Sequence, residues 1–248
     1  RSPELAELQP KTKAGYHNLD RLGEFGVMQV AGVRRRNLLA IRDEVAESSG
    51  AAAGNKFMRV VSALFAWVVD REWIEVNPVS RIKALAEGHL RPWSAAEYDR
   101  VLPQLPADLR RVFVLARHTG QRRSDLVAMR WSQYDGQAIR LTRQKTGKAL
   151  VIPATPQLQA ELAEWPRSEA AQILITARGQ PCSAQRLTTR IRKTVAAIGP
   201  AFAGLNAHGL RKLAATTLAE AGCSEHEIAA ITGHGTLAMV RLYTRSAR

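Results

Sequence analysis

The feature that most constrains this chain is a break in its helical periodicity at Gly88, His89, Leu90, Arg91 and Pro92. Glycine is costly to order, and proline lacks an amide donor and restricts the residue before it, so a regular helix does not run through such a stretch. The break predicts two domains, 1–87 and 91–248. On its far side Ser94, followed three residues later by Glu97, has the capping-box pattern that opens a new helix. On its near side Phe57, Val60, Val61, Leu64, Phe65, Val68 and Val69 recur at intervals of three and four within Asn55–Trp73. That spacing is the apolar stripe of an amphipathic helix. Asn77-Pro78 follows as its stop signal. Gly50 to Gly54 read as a small-residue link from a preceding helix, and Tyr16–Phe25 shows the same helical character. The second domain reads as helical except for one patch. There Ala138–Arg143 and Ala149–Pro153 predict two short strands, with Lys145-Thr146-Gly147-Lys148 as the turn. The expected fold is mainly α, a helical domain followed by an α+β domain with a small antiparallel β-hairpin.

Charge narrows the partner. Lys and Arg total 36 against 22 Asp and Glu, a net charge of +14 over 248 residues. Such an excess points to a polyanion, most simply nucleic acid, with loose anion binding as the bland alternative. Arg34, Arg35 and Arg36 in a row are either a solvated helix face or a phosphate contact. A hydrophobic fraction of 46% argues for a folded chain rather than a disordered one. Cys182 and Cys223 lie far apart without a CxxC partner, so neither a disulfide framework nor a zinc site is expected. A reducing, cytosolic setting fits. No apolar run approaches about eighteen residues and no signal peptide is visible, so no membrane association is expected.

Six residues of the second domain could carry chemistry. They are Arg122 in T-G-Q-R-R-S-D-L, Lys145 in Q-K-T-G-K, His208 and Arg211 in H-G-L-R, His234 in T-G-H-G, and Tyr243 in R-L-Y-T-R. His208 and Arg211 are three apart and share a helix face. An imidazole and a guanidinium there could hold a phosphate, because the guanidinium fork binds phosphate oxygens in pairs and stays charged. Taken singly, each position has an ordinary explanation: a basic helix face for Arg122, a hairpin charge for Lys145, a loop histidine for His234, half-buried packing for Tyr243. Arg123 adjoins Arg122, but the spacing to Gly120 and Asp125 selects Arg122. His226 falls between the motifs and reads as a surface residue.

Together and in this order, these residues resemble the tyrosine recombinase family, the phage integrases and their relatives. The family pattern is an Arg in T-G-x-R-x-x-D/E-L, a Lys in a β-hairpin turn, H-x-x-R, G-H/W, and a Tyr shortly after. The chain matches each element from Thr119 to Tyr243. The helical region before Glu87 looks like the family's core-type DNA-binding domain, on less specific grounds.

The resemblance implies a DNA strand-transferase with no metal or nucleotide cofactor. Tyr243 would attack a DNA phosphodiester and form a 3′-phosphotyrosine with a free 5′-hydroxyl. Arg122, Arg211, His208 and His234 would stabilise charge growing on the phosphate oxygens. His208 would also accept the tyrosine proton, and Lys145 would protonate the leaving 5′-oxygen as general acid. Asp125 would support the arginines. The implied partners are double-stranded DNA and further copies of the chain, a tetramer on paired sites, in a bacterial cytoplasm at the nucleoid. Only Thr244 to Arg248 follow Tyr243, where family members continue into a tail that docks on a neighbour. The competing readings are a type IB topoisomerase-like enzyme, which shares the same catalytic logic, and a DNA-binding regulator with a decayed site.

Overall fold

In the computed structural model, residues 3–27, 29–88, 92–142, 147, 149–167 and 171–244 are described. The chain divides into two compact units, Arg1–His89 and Leu90–Arg248.

The first unit carries helices α1 (Pro3–Glu7), α2 (Pro10–Gly15), α3 (Arg35–Ser49) and α4 (Ala51–Val69). A 3-10 stretch, Tyr16–Val27, kinks at Gly23. Leu38, Ile41 and Val45 of α3 pack on Phe57, Val61 and Phe65 of α4, so the apolar stripe is the core face. Two expectations need correction. Ala51 to Gly54 are not a link but the first turn of α4, and the break falls on Gly50 alone, at φ 88°. Alanine is the best helix former and needs no link conformation. Gly54 is there for packing: a Cβ would lie 3.0 Å from the Arg42 carbonyl and 3.1 Å from Ala46 Cβ. The helix also ends earlier than Trp73, at Val69. Asn77 closes the following turn instead, donating to the Ser62 carbonyl (3.0 Å) and accepting from the Val79 amide (2.9 Å).

The second unit contains α5 (Ala95–Val101), α6 (Ala107–Thr119), α7 (Arg123–Ala128), β1 (Ala138–Thr142), β2 (Ala149–Pro153), α8 (Pro156–Glu164), α9 (Ala184–Ile198), α10 (Ala207–Glu220), α11 (Glu225–Thr232) and α12 (Leu237–Thr244). The capping box forms at α5: Ser94 Oγ accepts from the Glu97 amide and Glu97 Oε2 from the Ser94 amide. Strands β1 and β2 pair antiparallel, with Ile139 opposite Ile152 and Leu141 opposite Leu150. These four alternate side chains are buried, which fixes the register. Apart from Gly147, the predicted hairpin turn, including Lys145, lies outside the described residues. Helix α6 runs through the core, with Leu109, Val112, Phe113, Leu115 and Ala116 buried. Trp93 meets Phe113 edge-on at 5.3 Å and anchors its indole N–H on the Asn206 carbonyl at 2.9 Å. An Asp108–Arg190 ion pair ties α6 to α9. Among the described residues the chain is thus mainly helical with a small two-stranded antiparallel sheet, as expected. Among the described residues no helix is long and apolar enough to cross a membrane.

Candidate active site

The site is built where three helix ends meet. Helix α6 stops at Gly120, which takes the left-handed conformation at φ 62°. A side chain there would be strained, and there is no room for one, since a Cβ would lie 2.8 Å from Thr232 Cγ2. The chain then passes buried Gln121, whose amide donates to the Thr119 carbonyl at 2.9 Å and the Ile231 carbonyl at 2.8 Å. Arg122 follows as the residue capping α7. It is half-buried, and one of its terminal nitrogens, Nη1, is buried without a hydrogen-bond partner.

Helix α10 supplies the second arginine. Asn206 starts it by accepting from the amides of His208 (2.9 Å) and Gly209 (3.2 Å), a usual role for an N-terminal asparagine. Arg211, one turn in, is 1% exposed. Its Nη1 donates to the carbonyls of Gly120 at 2.7 Å and Thr232 at 2.6 Å. Its Nη2 is buried without a partner. Burial first, then the Arg122 charge, pushes its pKa down to about 10, while Asp125 opposes that shift. Asp125 is itself 5% exposed.

Helix α11 ends at Gly233 in the left-handed conformation, the turn that delivers His234. His234 is 5% exposed. Its Nδ1 lies 2.6 Å from Thr232 Oγ1, and its Nε2 has no partner. Burial and the charges of Arg211, Arg122 and His208 push its pKa down to about 3. Helix α12 carries Tyr243, 8% exposed and packed with Ala215, Ile228 and Val240. Its hydroxyl is 3.2 Å from His208 Nε2, and its ring lies 5.1 Å from that of His234. Partial burial of the His208 ring, then Lys212, Arg211 and Arg122, lowers the His208 pKa. That histidine is therefore neutral near pH 7 and able to accept a proton.

Five of the six residues singled out in the sequence, Arg122, His208, Arg211, His234 and Tyr243, thus come together, and Lys145 lies outside the described residues. The sequence reading passed over Thr232, which touches Gly120, Arg211 and His234, and Lys212, whose ammonium sits 5.5 Å from the centre of the Tyr243 ring. The T-x-H spacing around a helix-ending glycine is the signal that could have found Thr232. His226 is exposed on α11. Chemically, the arrangement is a pair of guanidiniums with unpartnered N–H groups, and two neutral imidazoles, beside a phenol. Such an arrangement is suited to an anion that reacts with that phenol.

Comparison with known proteins agrees with this chemistry. Residues 94–248 match the model of the phage integrase family. The tyrosine recombinase XerC of Mycobacterium bovis is 28% identical over 236 residues, covering 85% of this chain and 79% of that protein. The XerC of Xylella fastidiosa is 26% identical, covering 89% and 80%. The fold is shared with lambda integrase, solved as a dimer bound to a core site, at a TM-score of 0.80 and 23% identity over 98% of this chain and 74% of that one. It is also shared with the Tn1549 transposon integrase, solved with transposon right-end DNA, at a TM-score of 0.76 and 16% identity over 96% and 90%. These relatives are recombinases and integrases, which favours strand exchange over a topoisomerase-like activity. The chain belongs to the phage integrase family, the tyrosine recombinases, and is a DNA strand-transferring enzyme of that family.

Proposed function

We propose that this chain cuts and rejoins double-stranded DNA at specific sites, with Tyr243 as the nucleophile. The observation that carries this reading is the placing of two arginines, each with a buried unpartnered N–H, in a cluster whose charges oppose one another around Tyr243. Buried like charges are costly without an anion between them. A scissile phosphate supplies that anion, and its transition state gains more from it than its ground state.

In the forward step Tyr243 Oη attacks phosphorus and its proton passes to His208. The bond from phosphorus to the 5′-oxygen breaks, and Lys145 donates the proton that the leaving oxygen needs. The product is a 3′-phosphotyrosine, which conserves the phosphodiester bond for attack by a second 5′-hydroxyl. The helical region 1–87 serves as a core-type DNA-binding domain, and 91–248 as the catalytic domain. Strand exchange takes place between paired sites held by four copies of the chain, in the bacterial cytoplasm at the nucleoid. The lambda integrase neighbours include a tetramer on a Holliday junction, which supports that assembly.

The test uses a pool of nicked duplexes randomised in sequence, in which a cut releases a short fragment and traps the protein. Wild type is expected to give a covalent protein–DNA band that resists denaturant. A Tyr243→Phe variant is expected to bind the pool as well but give no band. A band that persists in that variant contradicts the assignment.

A further inference from the structure

Thr232 is fully buried. Its hydroxyl oxygen lies 2.5 Å from the Ile228 carbonyl oxygen and 2.6 Å from His234 Nδ1. A hydroxyl carries one hydrogen and a carbonyl none. Two oxygens this close need the hydrogen between them, so Thr232 donates to Ile228 and has none left for the imidazole. His234 Nδ1 must then be the donor to Thr232. In the neutral ring this leaves Nε2 as a bare lone pair, and that nitrogen is the buried, unpartnered one. A phosphate oxygen is also an acceptor. Neutral His234 in this tautomer therefore has nothing to give it.

We propose that Thr232 is a positioning residue that locks the proton of neutral His234 on Nδ1, so that seating a phosphodiester draws one proton from solvent onto His234 Nε2. This rests on the reading of the site as a phosphate site. The groups facing His234 set the balance. Without DNA, Arg211 of α10 and Arg122 before α7 oppose a charge on its ring, and His208 of α10 adds to them only when it is itself protonated. Tyr243 of α12 contributes a ring face, and Asp125 of α7 acts on Arg211. A phosphate anion within hydrogen-bond reach of Nε2 opposes the effect of these cations on the ring. The imidazolium then donates at both ends, from Nδ1 to Thr232 and from Nε2 to the phosphate. Thr232 holds the other half of the site as well, through its carbonyl on Arg211, so binding of the anion and protonation of His234 are coupled through one residue.

Full-length protein labelled with ¹⁵N-histidine reads the tautomer directly, with His234→Gln assigning the signal. At neutral pH and without DNA, the His234 pattern expected is proton on Nδ1 and bare Nε2. Adding a random-sequence duplex, whose diesters carry no proton of their own, is expected to convert it to the doubly protonated pattern. Calorimetry in two buffers of different ionisation enthalpy should then count close to one proton taken up per bound chain. Where uptake is complete, affinity falls up to tenfold per pH unit. Thr232→Ser should keep all three results. Thr232→Val, which removes the lock, should free the neutral ring to carry its proton on Nε2, with uptake near zero and affinity flat with pH. If the valine variant does not fold, wild type and Thr232→Ser still decide. A free protein with the His234 proton on Nε2, or duplex binding without proton uptake, overturns the proposal. Failure to form a covalent complex would instead count against the functional reading and leaves the tautomer result standing on its own.

Discussion

Arg211 and Gly120 lie 91 positions apart in the chain and are joined by a 2.7 Å hydrogen bond from the guanidinium Nη1 to the glycine carbonyl. The same nitrogen reaches the Thr232 carbonyl, so one edge of the fork is structural and the other is free for the phosphate. A lysine has three donors on one point and no planar fork. Arg211→Lys is therefore expected to keep the charge yet lose the division of labour. Single-turnover cleavage should slow by about 10²–10³-fold, the usual scale for one lost transition-state donor, with a smaller loss in DNA affinity. A loss in affinity with the cleavage rate at saturating DNA unchanged would mean that Arg211 binds the ground state and the transition state equally.

Gly120 tests the packing behind that bond. Gly120→Ala forces a left-handed alanine, at about 1–2 kcal/mol, and sets its Cβ 2.8 Å from Thr232 Cγ2. Conformation alone should lower Tm by roughly 2–8 °C, and the clash should add to it. Thr232→Ala removes that methyl group and should recover the steric part in the double variant, leaving the backbone part. Strictly additive effects would show that the two residues do not press on each other.

Acid stability follows from His234. Its folded pKa, about 3, lies below the ordinary histidine value near 6.5. Between those values the unfolded chain binds a proton that the folded chain does not, so stability rises with pH across this window. Without DNA, stability should be fully present above about pH 6.5 and decline as the pH falls toward 3. His234→Gln should flatten that decline in urea titrations repeated across pH. An unchanged slope would remove His234 as its source.

Lys145 carries the proton-donor role in the proposed reaction. Lys145→Ala should slow cleavage of an ordinary phosphodiester far more than that of a 5′-thio substrate, because a sulfur leaving group needs little protonation. Equal slowing of both would make Lys145 a DNA contact and not an acid.

Local rules made much of this molecule legible before its structure. The Ser94–Glu97 capping box, the alternation of Ile139 and Leu141 against Leu150 and Ile152, and the His208–Arg211 spacing each depend on neighbours a few residues away. The glycine-and-alanine run at 50–54 misled, because small residues suit both a link and a close helix contact, and only the α3–α4 packing decides. The site itself divided in the same way. That Arg122, His208, Arg211, His234 and Tyr243 lie near one another was readable from the motifs. How Arg211 splits its two nitrogens could not, because Gly120 and Thr232 reach it from distant parts of the chain. Thr232 was hidden for a related reason: its bond to Ile228 is local, but its hold on His234 depends on the left-handed turn at Gly233.

Tyr243 as the nucleophile is tested by identifying the residue that becomes attached to DNA. Wild-type protein trapped on the nicked duplex pool would be digested with nuclease and protease, and the modified peptide sequenced by mass spectrometry. A nucleotide remnant linked through a 3′-phosphate to Tyr243 is expected. A remnant on Tyr16, Tyr98, Tyr134 or any other side chain, or one linked through a 5′-phosphate, would contradict it.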